Sequence, residues 1–334
     1  LDEDNNLLVS ASSPVFSREA EIKEESFQVQ TLTLRQSRDE FDKLFTAFPS
    51  AGKVQFILIG KRVLEHPDWF PLLDVFFRDP RNSVKARVAM VDGSAYDVVR
   101  FLPSNKPRLP LYLTKLFDTA YRRNLTVKTS LRELQRQIFE RGMTPSISKL
   151  RKDDNLIVTG TALLDKKGKY ALSIGSEETK LLRVLQDETQ GEFSFTMTYP
   201  DKAQGGLFHL GSFSFSAPAI SVKTKAGYAD NKFKFDVKIH MRAVLTERHF
   251  YDIDIRREGA KLERVIEQQM KARFEKLIGK VQAAKIDPFG YGLYARAYAY
   301  KPWKTVQDRW GEAFSEASVN VNVKVTIGAM GAIQ

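Results

Sequence analysis

Lys232-Phe233-Lys234-Phe235-Asp236-Val237-Lys238-Ile239-His240-Met241-Arg242-Ala243-Val244-Leu245 is the stretch whose reading decides the fold. Its odd positions are apolar throughout. Up to Arg242, its even positions are charged or hydrophilic. A period of two sustained over that length predicts a long strand with one face in a core and the other in water. That division is the habit of antiparallel-type sheets.

The neighbouring sequence repeats the pattern. Phe193, Phe195, Met197 and Tyr199 alternate with polar residues, as do Phe213 with Phe215, Ile220 with Val222, and the closing run Val319, Val321, Val323, Val325 and Ile327. Between them lies a helical stripe of Leu262, Val265, Ile266, Met270, Phe274, Leu277, Ile278 and Val281, which predicts a helix over Gly259 to Lys285, roughly 40 Å long. Asp287-Pro288 reads as an N-cap with Pro at the first helical position. Pro302 restarts the chain into Trp303, Val306, Trp310 and Phe314, spaced for one helical face. Residues 188–334 are thus expected to form a sheet with helices laid across one face.

Upstream, residues 7–100 read as alternating strands and helices. Phe27, Val29 and Thr31 alternate; Ser37 with Glu40 is placed as a capping box ahead of Phe41, Leu44 and Phe45. Val54–Ile59 is a buried-strand run. Trp69, Leu72, Leu73, Phe76 and Phe77 fall at helical spacing and stop at Asp79-Pro80. Val84 to Met90 alternates, and Ser94 opens a short helix. Pro103-Ser104-Asn105-Lys106-Pro107 punctuates the chain. Helical patterns follow over Leu111–Ala120 and Leu131–Phe139, the second capped by Thr129 and Ser130. A hairpin, Leu156–Leu164 with Tyr170–Ile174, turns on a basic loop, and a helix runs from Ser176 to about Leu185. The expected fold class is α+β and multi-domain, with mixed or antiparallel sheets and helices packed on one face. The expected units are an N-terminal α/β domain at 1–105, a small middle domain at 106–187 and a C-terminal α+β domain with the long helix at 188–334.

The chain of 334 residues is 43% hydrophobic and has no cysteine, which excludes disulfides, thiolate catalysis and cysteine-built zinc sites. No apolar run approaches the ~18 residues of a membrane-spanning helix. The opening Leu1-Asp2-Glu3-Asp4 is acidic without an apolar segment, so no signal peptide is expected in it. Net charge is +11, spread as −3 over 1–100, +8 over 101–187 and +6 over 188–334. The later parts therefore favour an anionic partner, a nucleic acid or an acidic membrane.

Catalytic motifs are missing. Gly206 to Gly211-Ser212 has phosphate-loop spacing without the lysine. His66, His209, His240 and His249 are far apart, and none is paired at i, i+4. Asp153-Asp154 and Glu177-Glu178 sit at a turn and a helix start, where acids satisfy backbone N–H groups. No enzyme activity, cofactor or metal is expected.

One constellation stands out. Lys232, Lys234, Lys238 and Arg242 share the outward face of the decisive strand, interrupted by Asp236 and preceded by Lys223 and Lys225. Such a face holds anionic lipid or an acidic partner; it also serves as a solvated guard against aggregation. Nucleic-acid readers interleave exposed aromatics for stacking, and Phe233 and Phe235 point the other way. Trp303 and Trp310 share an apolar helical face and read as core. Gly290 and Gly292 read as sites of close approach by another element.

The run Asp287-Pro288-Phe289-Gly290-Tyr291-Gly292, then Trp303-Lys304, Trp310 and Phe314, then Val319 to Val325, resembles the C-terminal signature of the C subunits of bacterial spore germinant receptors, the Ger(x)C lipoprotein family. Phe77-Arg78-Asp79-Pro80 with the strand and short helix after it is similar to that family's N-terminal half. The resemblance is strong over 255–331 and moderate over 70–100. It implies a non-enzymatic lipoprotein on the outer face of the spore inner membrane, anchored through an N-terminal diacylglyceryl Cys. It further implies integral membrane subunits of the receptor as partners and a part in nutrient sensing, through receptor assembly or signal transduction. The anchor Cys is not in this sequence, which implies that Leu1 follows a removed anchor or that the segment was trimmed. Asp287, Phe289, Gly290, Gly292, Trp303 and Trp310 transfer as fold signatures only. The competing readings are a basic nucleic-acid-binding protein and a hydrolase whose site is assembled only by three-dimensional proximity.

Overall fold

The computed structural model describes residues 1–2, 4–46, 53–79, 82–103, 105–200, 211–249 and 255–329, with backbone alone at 255–258 and 329. Pro80, Ser104, Gly206 and His209, singled out above, lie outside the described residues. The chain divides into two compact units. One is Leu1–Tyr121, Leu125–Glu140 and Thr144–Thr179; the other is Arg122–Asn124, Arg141–Met143 and Lys180–Gln334.

In the first unit, β1 (Leu8–Pro14) and β2 (Glu24–Gln30) form an antiparallel pair. The helix α1 (Leu34–Phe41) follows. Its cap is Thr33, whose Oγ1 accepts the Gln36 N–H at 3.1 Å, while the Gln36 side chain accepts the Leu32 N–H at 3.0 Å. Ser37, expected as the cap, instead lies inside the helix and donates to the Leu34 carbonyl. Thr33 and Ser37 each begin a capping-box pattern, and the earlier one wins because Leu34 then joins the helix.

A five-stranded sheet forms the core of this unit, in the order β3 (Phe56–Gly60), β4 (Arg87–Val91), β5 (Ser146–Lys152), β6 (Leu156–Leu164), β7 (Tyr170–Ile174). The first three strands run parallel and the last three antiparallel, so the sheet is mixed. Strands of residues 146–174 and 56–91 thus share one ladder. In β4, Val88 and Met90 pack on one face with Trp69, Leu131 and Leu134, while Ala89 and Val91 pack on the other with Leu109, Leu113 and Phe117. Burial on both faces is why β4 is apolar at every position from Val88 to Val91, where the sequence pattern predicts only alternation through Met90. Between β3 and β4 lie α2 (Lys61–Glu65), a 3-10 turn over Phe70–Leu73 and α3 (Asp74–Arg78). The Trp69 indole donates to the Gly168 carbonyl at 2.7 Å and so pins the basic hairpin loop. Then come α4 (Ala95–Val99), capped by Ser94, α5 (Leu109–Arg122) and α6 (Leu131–Phe139), capped by Ser130. Thr129 does not cap; its hydroxyl donates to the Ser146 carbonyl. The helix α7 (Ser176–Leu185) begins in this unit.

The second unit is a four-stranded sheet of order β11-β10-β9-β8, with β8 (Phe193–Thr198), β9 (Ser212–Ala229), β10 (Lys232–Arg248) and β11 (Ser318–Ala329). Neighbours are antiparallel except β10 and β11, which run parallel. Asp230 and Asn231, at φ 54° and 59°, make the two-residue turn between β9 and β10, as a tight hairpin requires. A register shift sets Ala217 and Pro218 opposite the neighbourhood of Ala243. Such an extra residue inverts the parity of the strand. Phe213 and Phe215 are buried before it, and Ile220 and Val222 turn toward the same side after it.

On the buried face lies α8 (Ile255–Ala283), with Leu262, Ile266, Met270, Phe274, Leu277 and Val281 against the sheet. Next come α9 (Tyr291–Tyr298), α10 (Tyr300–Val306), a 3-10 turn over Gln307–Arg309 and α11 (Trp310–Ser315). The single helical face expected after Pro302 is therefore interrupted, yet Trp303, Trp310 and Phe314 are all buried.

Candidate functional site

The wet face of the second sheet gathers the sequence-predicted cations. In β10, Phe233, Phe235, Val237, Ile239, Met241 and Ala243 are buried, and Lys232, Lys234, Asp236, Lys238, His240 and Arg242 are exposed. Register adds the neighbouring strands. On β9, Lys223 stands opposite Lys238 and Lys225 opposite Asp236; on β11, Lys324 stands opposite His240 and Thr326 opposite Arg242. One face thus carries Lys223, Lys225, Lys232, Lys234, Lys238, Arg242 and Lys324.

Neutralisation of this face is partial. Lys234 Nζ meets Asp230 Oδ2 at 2.5 Å, which holds that carboxyl below its usual range. Asp236 accepts from Asn320 Nδ2 at 3.2 Å, and Lys324 reaches Glu267 at 3.1 Å. Among the described residues, Lys223, Lys225, Lys232, Lys238 and Arg242 make no ion pair. Like charges directly opposite on neighbouring strands repel, so the Lys223–Lys238 pair costs stability unless an anion lies over it. Gly328 makes room for Arg242: a Cβ there would stand 2.7 Å from Arg242 Nε. His240 Nε2 lies 3.1 Å from the Thr326 hydroxyl.

The signature residues form a second cluster, inside the helical layer of the same unit. Asp287 is fully buried. Its Oδ1 accepts the N–H groups of Phe289 and Gly290 at 3.2 and 3.0 Å; its Oδ2 accepts the Gly292 N–H at 2.9 Å and the Trp310 indole N–H at 2.8 Å. Burial pushes this carboxyl up to about 6, against the four N–H donors that favour the anion. Asp287 is therefore not the expected N-cap with Pro288 at N1. The helix starts at Tyr291 with Gly290 as its cap at φ 78°, and the carboxylate organises the loop before it. Gly292 lies against Gly142: a Cβ on it would stand 2.6 Å from Gly142 Cα and 2.7 Å from Trp310 Nε1. The approaching element that the two glycines implied is thus residues 141–143. Phe289 and Tyr291 rings lie 5.2 Å apart, Tyr291 stacks on Phe235 at 5.1 Å, and the Arg296 guanidinium lies 5.6 Å from the Trp303 ring.

Among the described residues no three His, Asp or Glu side chains gather as a metal site would need, and no helix is long and apolar enough to cross a membrane. A shallow groove of about 280 Å³ in the first unit is lined by Gln55, Lys85, Arg87 and Thr114 with no carboxylate or histidine. Sequence reasoning missed Lys324, which reaches the basic face only through parallel pairing, and Gly142, whose partner is remote in sequence.

Residues 159–331 match the family described as spore germination B3/GerAC like, C-terminal, and residues 1–152 match the spore germination protein N-terminal domain. No curated protein matches. Among solved structures, the one described as "Crystal Structure of the GerBC protein" aligns over 97% of this chain and 94% of its own, at 17% identity and a TM-score of 0.63. That likeness is one of fold. With its two halves matched in order, the chain belongs to the GerAC-like spore germination family, the germinant-receptor C subunits that its C-terminal motifs resemble.

Proposed function

We propose that this chain is a non-enzymatic subunit of a nutrient germinant receptor, held at the spore inner membrane beside integral membrane subunits, with the wet face of its second sheet turned to an anionic membrane surface. The observation that carries the reading is the group of cations Lys223, Lys232, Lys238 and Arg242 on one sheet face, none in an ion pair among the described residues, with Lys223 set directly against Lys238. Near an anionic leaflet each contributes about 1 kcal/mol, the usual second contribution beside one acyl chain. Phe233 and Phe235 are buried, and among the described residues the only ring on this face is the His240 imidazole beside Thr326, so the nucleic-acid alternative has less support.

The test is vesicle co-sedimentation of the chain with anionic and with neutral lipid, for wild type and for Lys232→Gln, Lys234→Gln, Lys238→Gln and Arg242→Gln combined. Binding to anionic vesicles that weakens with salt and with the fourfold change is expected. Equal, negligible binding throughout overturns the membrane orientation. Tighter binding to DNA, with a steep salt slope, favours the nucleic-acid reading instead.

A further inference from the structure

The outer edges of the second sheet are closed by side chains. On β11, the Val325 and Ile327 N–H groups donate to Glu267 and Glu263 of α8, both at 2.9 Å. On β8, the alternate carbonyls of Ser194, Thr196 and Thr198 accept from Lys180, Arg273 and Gln269 at 2.7, 3.1 and 2.7 Å. Helix α8 thus caps donors at one edge and, together with Lys180 of α7, acceptors at the other. A third edge is different. The strand β8 pairs with β9 only from Ser212 to Ala217, while β9 continues to Ala229. Over residues 219–227, about 30 Å of strand, β9 bonds to β10 on one side. Among the described residues nothing bonds to the other side.

We infer that this open edge of β9 receives an acidic extended segment of a partner protein as an added strand. Backbone groups left unpaired along an edge are a template for strand addition. The side chains select the occupant. Lys223 and Lys225 project on the wet face beside the edge, and Lys238 stands next to Lys223. A second copy of the chain would bring its own lysines against them, and like charges on neighbouring strands repel. A strand with acids at alternate positions places them beside Lys223 and Lys225 and relieves the Lys223–Lys238 repulsion. Its intervening residues then lie beside Ile220, Val222 and Thr224, which are half-buried on the other face. The fitting partner alternates acidic with apolar or β-branched residues. The inference goes beyond the membrane reading: it concerns the backbone edge of β9, although Lys223 and Lys238 belong to the face that reading uses.

The probe is a synthetic decapeptide alternating Glu with Val and Thr, added to the full chain and followed by amide hydrogen exchange. New protection confined to 219–227 is expected. Lys223→Glu with Lys225→Glu, both at exposed positions, should weaken binding by roughly tenfold as attraction becomes repulsion. The same peptide N-methylated throughout should not bind. Absence of protection at 219–227, or equal binding of the N-methylated peptide, overturns strand addition. Protection of 219–227 without peptide, accompanied by dimerisation, overturns it in favour of a second copy. Vesicle binding does not bear on any of these readouts.

Discussion

The indole N–H of Trp310 donates to Oδ2 of Asp287 at 2.8 Å, and the Cβ that Gly292 lacks would fall 2.7 Å from the same indole nitrogen. The carboxylate, the indole and the missing side chain are one packing solution. Trp310 can reach the buried acid only because residue 292 has no side chain in its path.

The pH dependence of stability follows from that acid. Asp287 titrates at about 6 in the folded chain against 3.8 as its unperturbed value, so the folded state binds its proton more tightly between those limits. Its ionised form opposes folding above pH 6, and that opposition is relieved as pH falls from 6 toward 4. The relief is on the order of 3 kcal/mol. Urea midpoints between pH 4 and 7.5 should therefore rise toward acid for wild type relative to Asp287→Asn, which cannot titrate. Parallel curves for the two would contradict the assignment.

Trp303→Ala and Trp310→Ala should each cost about 3–5 kcal/mol, as truncation of a buried aromatic ring does. Both side chains are buried, and Trp310 packs on Phe233 at 5.1 Å. Unchanged urea midpoints in the full chain would show that these rings do not hold the helical layer to the sheet.

Glycine substitutions should split by location. Gly292→Ala drives a methyl to 2.6 Å from Gly142 Cα and should destabilise by about 1–3 kcal/mol. Gly279→Ala, in α8 with nothing within 4 Å of the new methyl, should stabilise by about 0.5–1 kcal/mol. Thermal unfolding of the pair is the check, and equal effects would refute the close approach.

A nick at residues 103–107 should leave the first unit assembled. The strand β4, before the nick, pairs with β5, after it, and Ala89 and Val91 pack on Leu109 and Leu113. Proteolysis there followed by size exclusion should return one species; two separated fragments would contradict that shared ladder.

Period-two alternation made β10 readable by itself, since every odd position from Phe233 to Ala243 is buried. The same alternation says nothing of direction, so the parallel pairing of β11 was not readable, and with it the place of Lys324. The two apolar patterns within β9 look like separate strands because the shift near Pro218 inverts their parity. The two overlapping capping boxes at Thr33 and Ser37 differ only by what precedes them. Asp287 misled because an Asp-Pro pair does look like a helix start. Its decisive partner, the Trp310 indole, lies 23 residues away, and no local pattern reaches that far.

The placement of β11 has a consequence for biosynthesis. Its partner β10 ends at Arg248, but β11 begins only at Ser318, after helices α8 to α11 have been made. At ~5–20 residues per second, a ribosome takes on the order of ten seconds to cover that interval. For that time β10 offers a bare ladder to the nascent chains of neighbouring ribosomes. The lysines at Lys232, Lys234 and Lys238 then act as gatekeepers against pairing between identical chains, before the finished protein has any membrane or partner to meet.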